Sequence, residues 1–122
     1  MTAALLWLGV ALSGGVGVVL RFLVDGRVSE RTGRAFPYGT LVVNLSGAVL
    51  LGLITGLALN PQAALVVGTG AVGAYTTFST WMFETQRLGE DRQLTRLAAN
   101  LAVSLVAGLA AAAAGEALGG VL

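Results

Sequence analysis

The chain has 122 residues, 56% of them hydrophobic and 11% charged, with a net charge of +1. That is too little charge to cover a soluble surface, so a membrane protein is expected, and the near-neutral balance gives no footing for nucleic acid. Histidine and cysteine are absent and every basic side chain is an arginine, which removes thiol chemistry, disulfides and the commonest metal and acid–base groups and leaves an enzyme little to work with.

Met1 to Leu20 carries no charged side chain and supplies the roughly 20 apolar residues a membrane span requires. It has no basic leading region and no A-x-A-like site before Arg21, so a retained helix is expected rather than a signal peptide. The next uncharged stretch, Ala35 to Phe83, is too long for one span, and Asn60-Pro61 divides it where a turn is expected. A third runs from Leu97 to Gly115. The pattern predicts an all-α membrane protein, with one four-helix transmembrane domain over residues 1–122 and helices near 3–24, 37–59, 62–86 and 94–118. The first connection reads as a solvated loop, with an amphipathic segment lying on the interface as the other reading.

Small residues recur every four positions at Gly9, Ser13 and Gly17, at Gly52 and Gly56, and at Ser104 and Gly108. Such stripes let helix backbones approach closely, and the alanine run Ala110–Ala114 offers a smooth packing surface. Four short helices bury little among themselves, so an oligomer is expected.

Polar residues inside the spans need partners, because a bilayer core offers no water. Asn44 lies among Leu41, Val42, Val43 and Leu45, and reads equally as interhelical glue, to a hydroxyl on the third helix, or as a pore-lining donor. Asn100 and Ser104 repeat this more weakly. The densest cluster is Gly73 to Trp81, G-A-Y-T-T-F-S-T-W, with hydroxyls at Thr76, Thr77, Ser79 and Thr80. Phe78 and Trp81 share a helix face there, and Gly68, Gly70 and Gly73 permit a broken or closely packed helix.

Arg21, Arg27, Arg31 and Arg34 fall in the first connection, and Arg87, Arg92 and Arg96 in the third. With four spans these connections share one side of the membrane, and the positive-inside rule places both termini outside.

These motifs resemble those of the Fluc/CrcB family of fluoride channels across nearly the whole chain. The first helix ends S-G-G-V-G-V-V-L-R-F (13–22), similar to G-G-x-x-G-A-x-x-R-Y. The second reads G-T-L-V-V-N-L-S-G-A-V-L-L-G (39–52), similar to G-T-L-x-x-N-x-x-G-x-F-x-x-G. The third reads G-A-V-G-A-Y-T-T-F-S-T-W-M-F-E (70–84), similar to G-x-x-G-x-x-T-T-F-S-T-F-x-x-E. The resemblance implies an antiparallel, inverted dimer with two narrow fluoride pores and a third helix broken near its middle. Asn44 matches the pore asparagine, Phe78 the first anion-facing phenylalanine, and Trp81 the position of the second. Thr80 and Ser104 match a hydroxyl track. Gly73 and Thr76 match the break whose backbone carbonyls hold a structural sodium ion, Na+, at the dimer centre. Arg21 and Glu84 match positions near the membrane edge.

Fluoride is small and strongly hydrated, so a pore must replace its water with close donors such as the Asn44 amide and the Thr80 or Ser104 hydroxyl. A ring edge, partly positive, receives an anion without a charge that would trap it. Trp81 keeps such an edge and adds an N–H, which serves the anion or obstructs one pore. The arginine bias opposes insertion in both orientations, so the resemblance and the charge together imply pairing with an oppositely oriented paralogue, with a homodimer as the other possibility. The expected function is passive fluoride export across a bacterial plasma membrane. HF enters, dissociates in the more alkaline cytoplasm and leaves trapped fluoride. The alternatives are a non-conducting structural subunit of a heterodimeric channel, and a small multidrug exporter. An exporter needs a membrane-embedded carboxylate, whereas Glu84 and Glu116 fall near helix ends.

Overall fold

The computed structural model describes residues 1–122, and all regular structure in it is helical. Helix α1 spans Ala3–Thr32 and α2 spans Tyr38–Leu57. The third passage opens with the short α3 (Pro61–Ala63), widens into a π-helical stretch (Ala64–Val72) and closes with α4 (Gly73–Tyr75). Thr76–Phe78 lies outside either neighbouring helix, and α5 (Ser79–Glu90) follows. Helix α6 spans Leu94–Val121. Three of these, α1, α2 and α6, are long and apolar enough to cross a membrane.

The ends follow local chemistry. Thr2 caps α1 by accepting from Leu5 N, and Asn60 caps α3 by accepting from Ala63 N, with Pro61 at the first helical position. Helix α1 does not stop near Val24, where its apolar stretch ends. It continues to Thr32 and so replaces the expected loop. Ser29 donates to the Asp25 carboxylate one turn back, Thr32 donates to Val28 O, and the stop is Gly33, at φ 76, whose N–H closes on Ser29 O. At 1.5 Å per residue, this 30-residue helix is about 45 Å long against a hydrocarbon core of about 30 Å, so its charged end stands clear of the bilayer.

Packing runs through glycine. A Cβ on Gly17 would meet the Ala71 carbonyl, and Ser13 Oγ donates to Val66 O at 2.8 Å, so α1 lies parallel to the third passage along Gly9, Ser13 and Gly17. Helices α2 and α6 are likewise parallel. Gly52 faces Ala112, Gly56 faces Glu116, Gly115 faces Val49 and Gly119 faces Leu53, all backbone against backbone. The α6 stripe is therefore Ala112, Gly115 and Gly119. Gly108, expected in it, has nothing within 4 Å of where a Cβ would stand. Odd passages thus run one way and even passages the other.

Only 17 of 122 residues are buried, and the apolar ones among them, glycine and Pro37 aside, are Val43, Val72 and Leu88. So small a core leaves most apolar side chains for lipid or for another subunit.

Candidate functional site

The site is organised by Asn44. Its Nδ2 donates to Thr77 O at 2.8 Å and its Oδ1 accepts from Thr77 N at 2.8 Å, so one amide replaces a turn of helix at the non-helical stretch. The partner is backbone rather than the hydroxyl expected from sequence. Thr76 is extended there, at φ −78 and ψ 161, and its methyl lies where Gly47 has no side chain.

The carbonyls of Gly73 and Thr76 are among those released as a consequence. In a continuous helix Gly73 O would accept from Thr77 N, which is committed to Asn44; Thr76 O would accept from Thr80 N, which is committed to Thr77 Oγ1 at 3.2 Å. No backbone N–H reaches either oxygen, and only Thr76 Oγ1, at 3.4 Å, approaches Gly73 O. The N–H of Phe78, just ahead of α5, also lacks a backbone acceptor.

Two clefts meet at Thr77. The first, of about 540 Å³, is lined by Asn44, Gly73, Thr76 and Thr77 with Phe78 and Trp81 at its side. The two rings stand edge-to-face, 5.7 Å apart at 79°, and Phe78 is 70% exposed. The second, of about 380 Å³, is lined by Arg21, Asp25, Thr40, Thr77, Ser79 and Thr80. Thr77 Oγ1 donates to Thr80 Oγ1 at 3.1 Å, which leaves the Thr80 hydroxyl hydrogen free to donate elsewhere. Nearby, Glu84 sits among Thr40, Asp25, Arg34 and Arg87, and Arg87 also holds Arg34 O at 3.3 Å.

The fold thus gathers Asn44, Phe78, Trp81, Gly73 and Thr76 around one cleft and puts Thr80 on the other. Ser104, on α6, lines neither. The Trp81 N–H is not a free donor, because Nε1 donates to Asn100 O at 3.1 Å.

Residues 8–116 match the family described as CrcB-like protein, Camphor Resistance (CrcB). The chain belongs to the CrcB family. It is 65% identical over 118 residues to "Fluoride-specific ion channel FluC 2" of Mycolicibacterium paratuberculosis, covering 97% of each chain. It is also 65% identical over 111 residues to FluC 2 of Mycobacterium tuberculosis, covering 91% of this chain and 88% of that one. With "Fluoride-specific ion channel FluC 1" of Symbiobacterium thermophilum it shares 43% over 122 residues, covering 93% and 96%. This CrcB chain is a multi-pass membrane protein, and its membrane-capable helices agree with that membership.

Two residues of this arrangement are not singled out by the sequence. Thr77 was one hydroxyl among four, with nothing to mark it as the residue shared by both clefts. For Thr85 the one signal in the sequence is its i, i+4 spacing from Trp81, which puts the two on the same helical face.

Proposed function

We propose that this chain forms a fluoride-selective passive channel, exporting cytoplasmic fluoride and so giving resistance to its toxicity. It is not an enzyme. The observation that carries the reading is the Asn44–Thr77 clamp, which turns a helix interior into a cleft of amide, hydroxyl and ring edge. Identity to proteins named fluoride-specific ion channels, over nearly the full chain, supports the choice of ion.

Fluoride approaches through the cleft holding Arg21, whose charge raises the local anion concentration. The Thr80 hydroxyl and the second Nδ2 hydrogen of Asn44, the one not spent on Thr77, replace waters of hydration. Phe78 and Trp81 offer partly positive ring edges in the other cleft, attractive enough to admit the ion and too weak to hold it. Ser104 belongs to the pathway only where a second subunit completes it.

The working unit in this reading is an inverted dimer with the third passage broken at Thr76–Phe78, and the extended Thr76 and the exposed Phe78 support it. The oxygens of Gly73 and Thr76 fit a sodium ion, since both are hard carbonyl ligands without an N–H donor. Bound there, sodium would supply a fixed positive charge between subunits.

The test is fluoride efflux from liposomes containing the purified chain, with chloride as the control anion. Fluoride release without chloride release is expected, from the chain alone or together with its oppositely oriented paralogue. Equal passage of both ions, or none from folded protein in either preparation, would overturn the reading.

A further inference from the structure

Asn100 is 1% exposed, in the middle of an apolar helix, where an unpaired amide is costly. Its Nδ2 donates to Thr85 Oγ1 at 2.9 Å, and Thr85 Oγ1 donates to Trp81 O at 2.8 Å. Trp81 Nε1 returns to Asn100 O at 3.1 Å. The three hydrogen bonds form a closed ring holding both the main chain and the side chain of Trp81 against α6. Leu88, 2% exposed, extends the same face of α5 one turn further.

We propose that Asn100 and Thr85 are positioning residues for Trp81. The Asn100 main-chain carbonyl takes the indole N–H, and the Asn100 side chain and the Thr85 hydroxyl hold α5 against α6 in the register that keeps that bond, so that the N–H is withheld from the cleft. The inference rests on the channel reading above and deepens it. An indole N–H is a strong donor, and one facing the ion would hold fluoride far more tightly than a C–H edge does. Committed to Asn100 O, it leaves the ring able to pass the ion on. The device suits tryptophan specifically, since phenylalanine has no N–H to sequester.

The test uses full-length chain carrying Trp7→Phe, so that Trp81 is the only indole; Trp7 is 61% exposed and remote from the ring of hydrogen bonds. Asn100→Leu and Thr85→Val each break the ring, Thr85→Val with almost no change of shape, and Thr85→Ser preserves it. Two quantities are read on assembled protein, the ¹⁵N-indole N–H resonance and fluoride efflux. Asn100→Leu and Thr85→Val are expected to move the resonance and slow efflux at least tenfold, while Thr85→Ser stays within twofold of the parent in efflux with its resonance unmoved. Should Asn100→Leu fail to assemble, the near-isosteric Thr85→Val decides. An unmoved resonance in the ring-breaking variants overturns the inference, as does parental efflux from a variant whose resonance has moved. A parent that releases no fluoride, alone or with its paralogue, sinks the channel reading and the inference together; a conducting parent with an unmoved indole sinks the inference alone.

Discussion

At the scale of single residues, the cleft separates groups spent on the fold from groups left free. Asn44 has both kinds: one N–H and one lone pair are spent on Thr77, and the second N–H is left over. Asn44→Ala strands a backbone N–H and a carbonyl, at about 1–3 kcal/mol for each group left unsatisfied. Denaturant titration should show that loss together with at least a tenfold fall in fluoride efflux. Phe78 is the contrasting case, with 70% of its surface exposed in the subunit. Phe78→Ala should change subunit stability by no more than about 0.5 kcal/mol and still abolish efflux from an assembled dimer. Misassembly instead would assign Phe78 to packing and favour a structural subunit. The asparagine is legible in sequence as an amide inside an apolar run. Its partner is not, because a backbone group thirty-three residues away leaves no mark in side-chain chemistry.

At the scale of elements, glycine decides which helices touch. Gly115 of α6 sits against the Val49 carbonyl, whereas Gly108 on the same helix faces open space. Gly115→Ala forces backbones apart and is expected to cost about 1–3 kcal/mol. Gly108→Ala fills nothing and should leave stability level or raise it by up to about 1 kcal/mol, through helix propensity. Thermal unfolding of the two variants in one detergent checks the pair, and equal losses would contradict the observed register. Spacing of four correctly pointed to Gly9, Ser13 and Gly17 and to Gly52 and Gly56 as contact stripes, and misassigned the stripe on α6. A helix this rich in small residues offers several such stripes, and only the partner selects one. The extension of α1 beyond its apolar stretch has a related reason. Hydropathy ends near Val24, but helical hydrogen bonding does not, and the Asp25–Ser29 pair carries it on to Gly33.

At the scale of the whole molecule, the arginines predict the orientation. All seven lie at the first and third connections or in the charged ends of the helices beside them. Parallel packing of α1 with the third passage and of α2 with α6 puts those connections on one side. Topology reporters fused to the carboxyl terminus should therefore give a single orientation, with an alkaline phosphatase fusion active and a fluorescent-protein fusion dark. Equal signals from both would contradict orientation by arginine and remove the reason to expect a paralogue as the partner. The exposed Phe78 and the small apolar core leave much apolar surface for lipid or for a second subunit, and in the proposed dimer the site is completed at that contact.

The sequence by itself determined the membrane class, the helical passages, the side on which the charges lie, and the family, because bilayer thickness, charge distribution and short motifs are all written locally along the chain. It also marked Asn44, Phe78, Trp81, Gly73 and Thr76, which the fold brings to one cleft. Tertiary structure alone decided what each of those groups is free to do. Asn44 spends its amide on Thr77, Trp81 spends its N–H on Asn100, and the carbonyls of Gly73 and Thr76 lose their donors. A hydrogen-bonding group is available to an ion only when no other part of the chain has claimed it, and the claims on Asn44 and Trp81 come from residues distant in sequence.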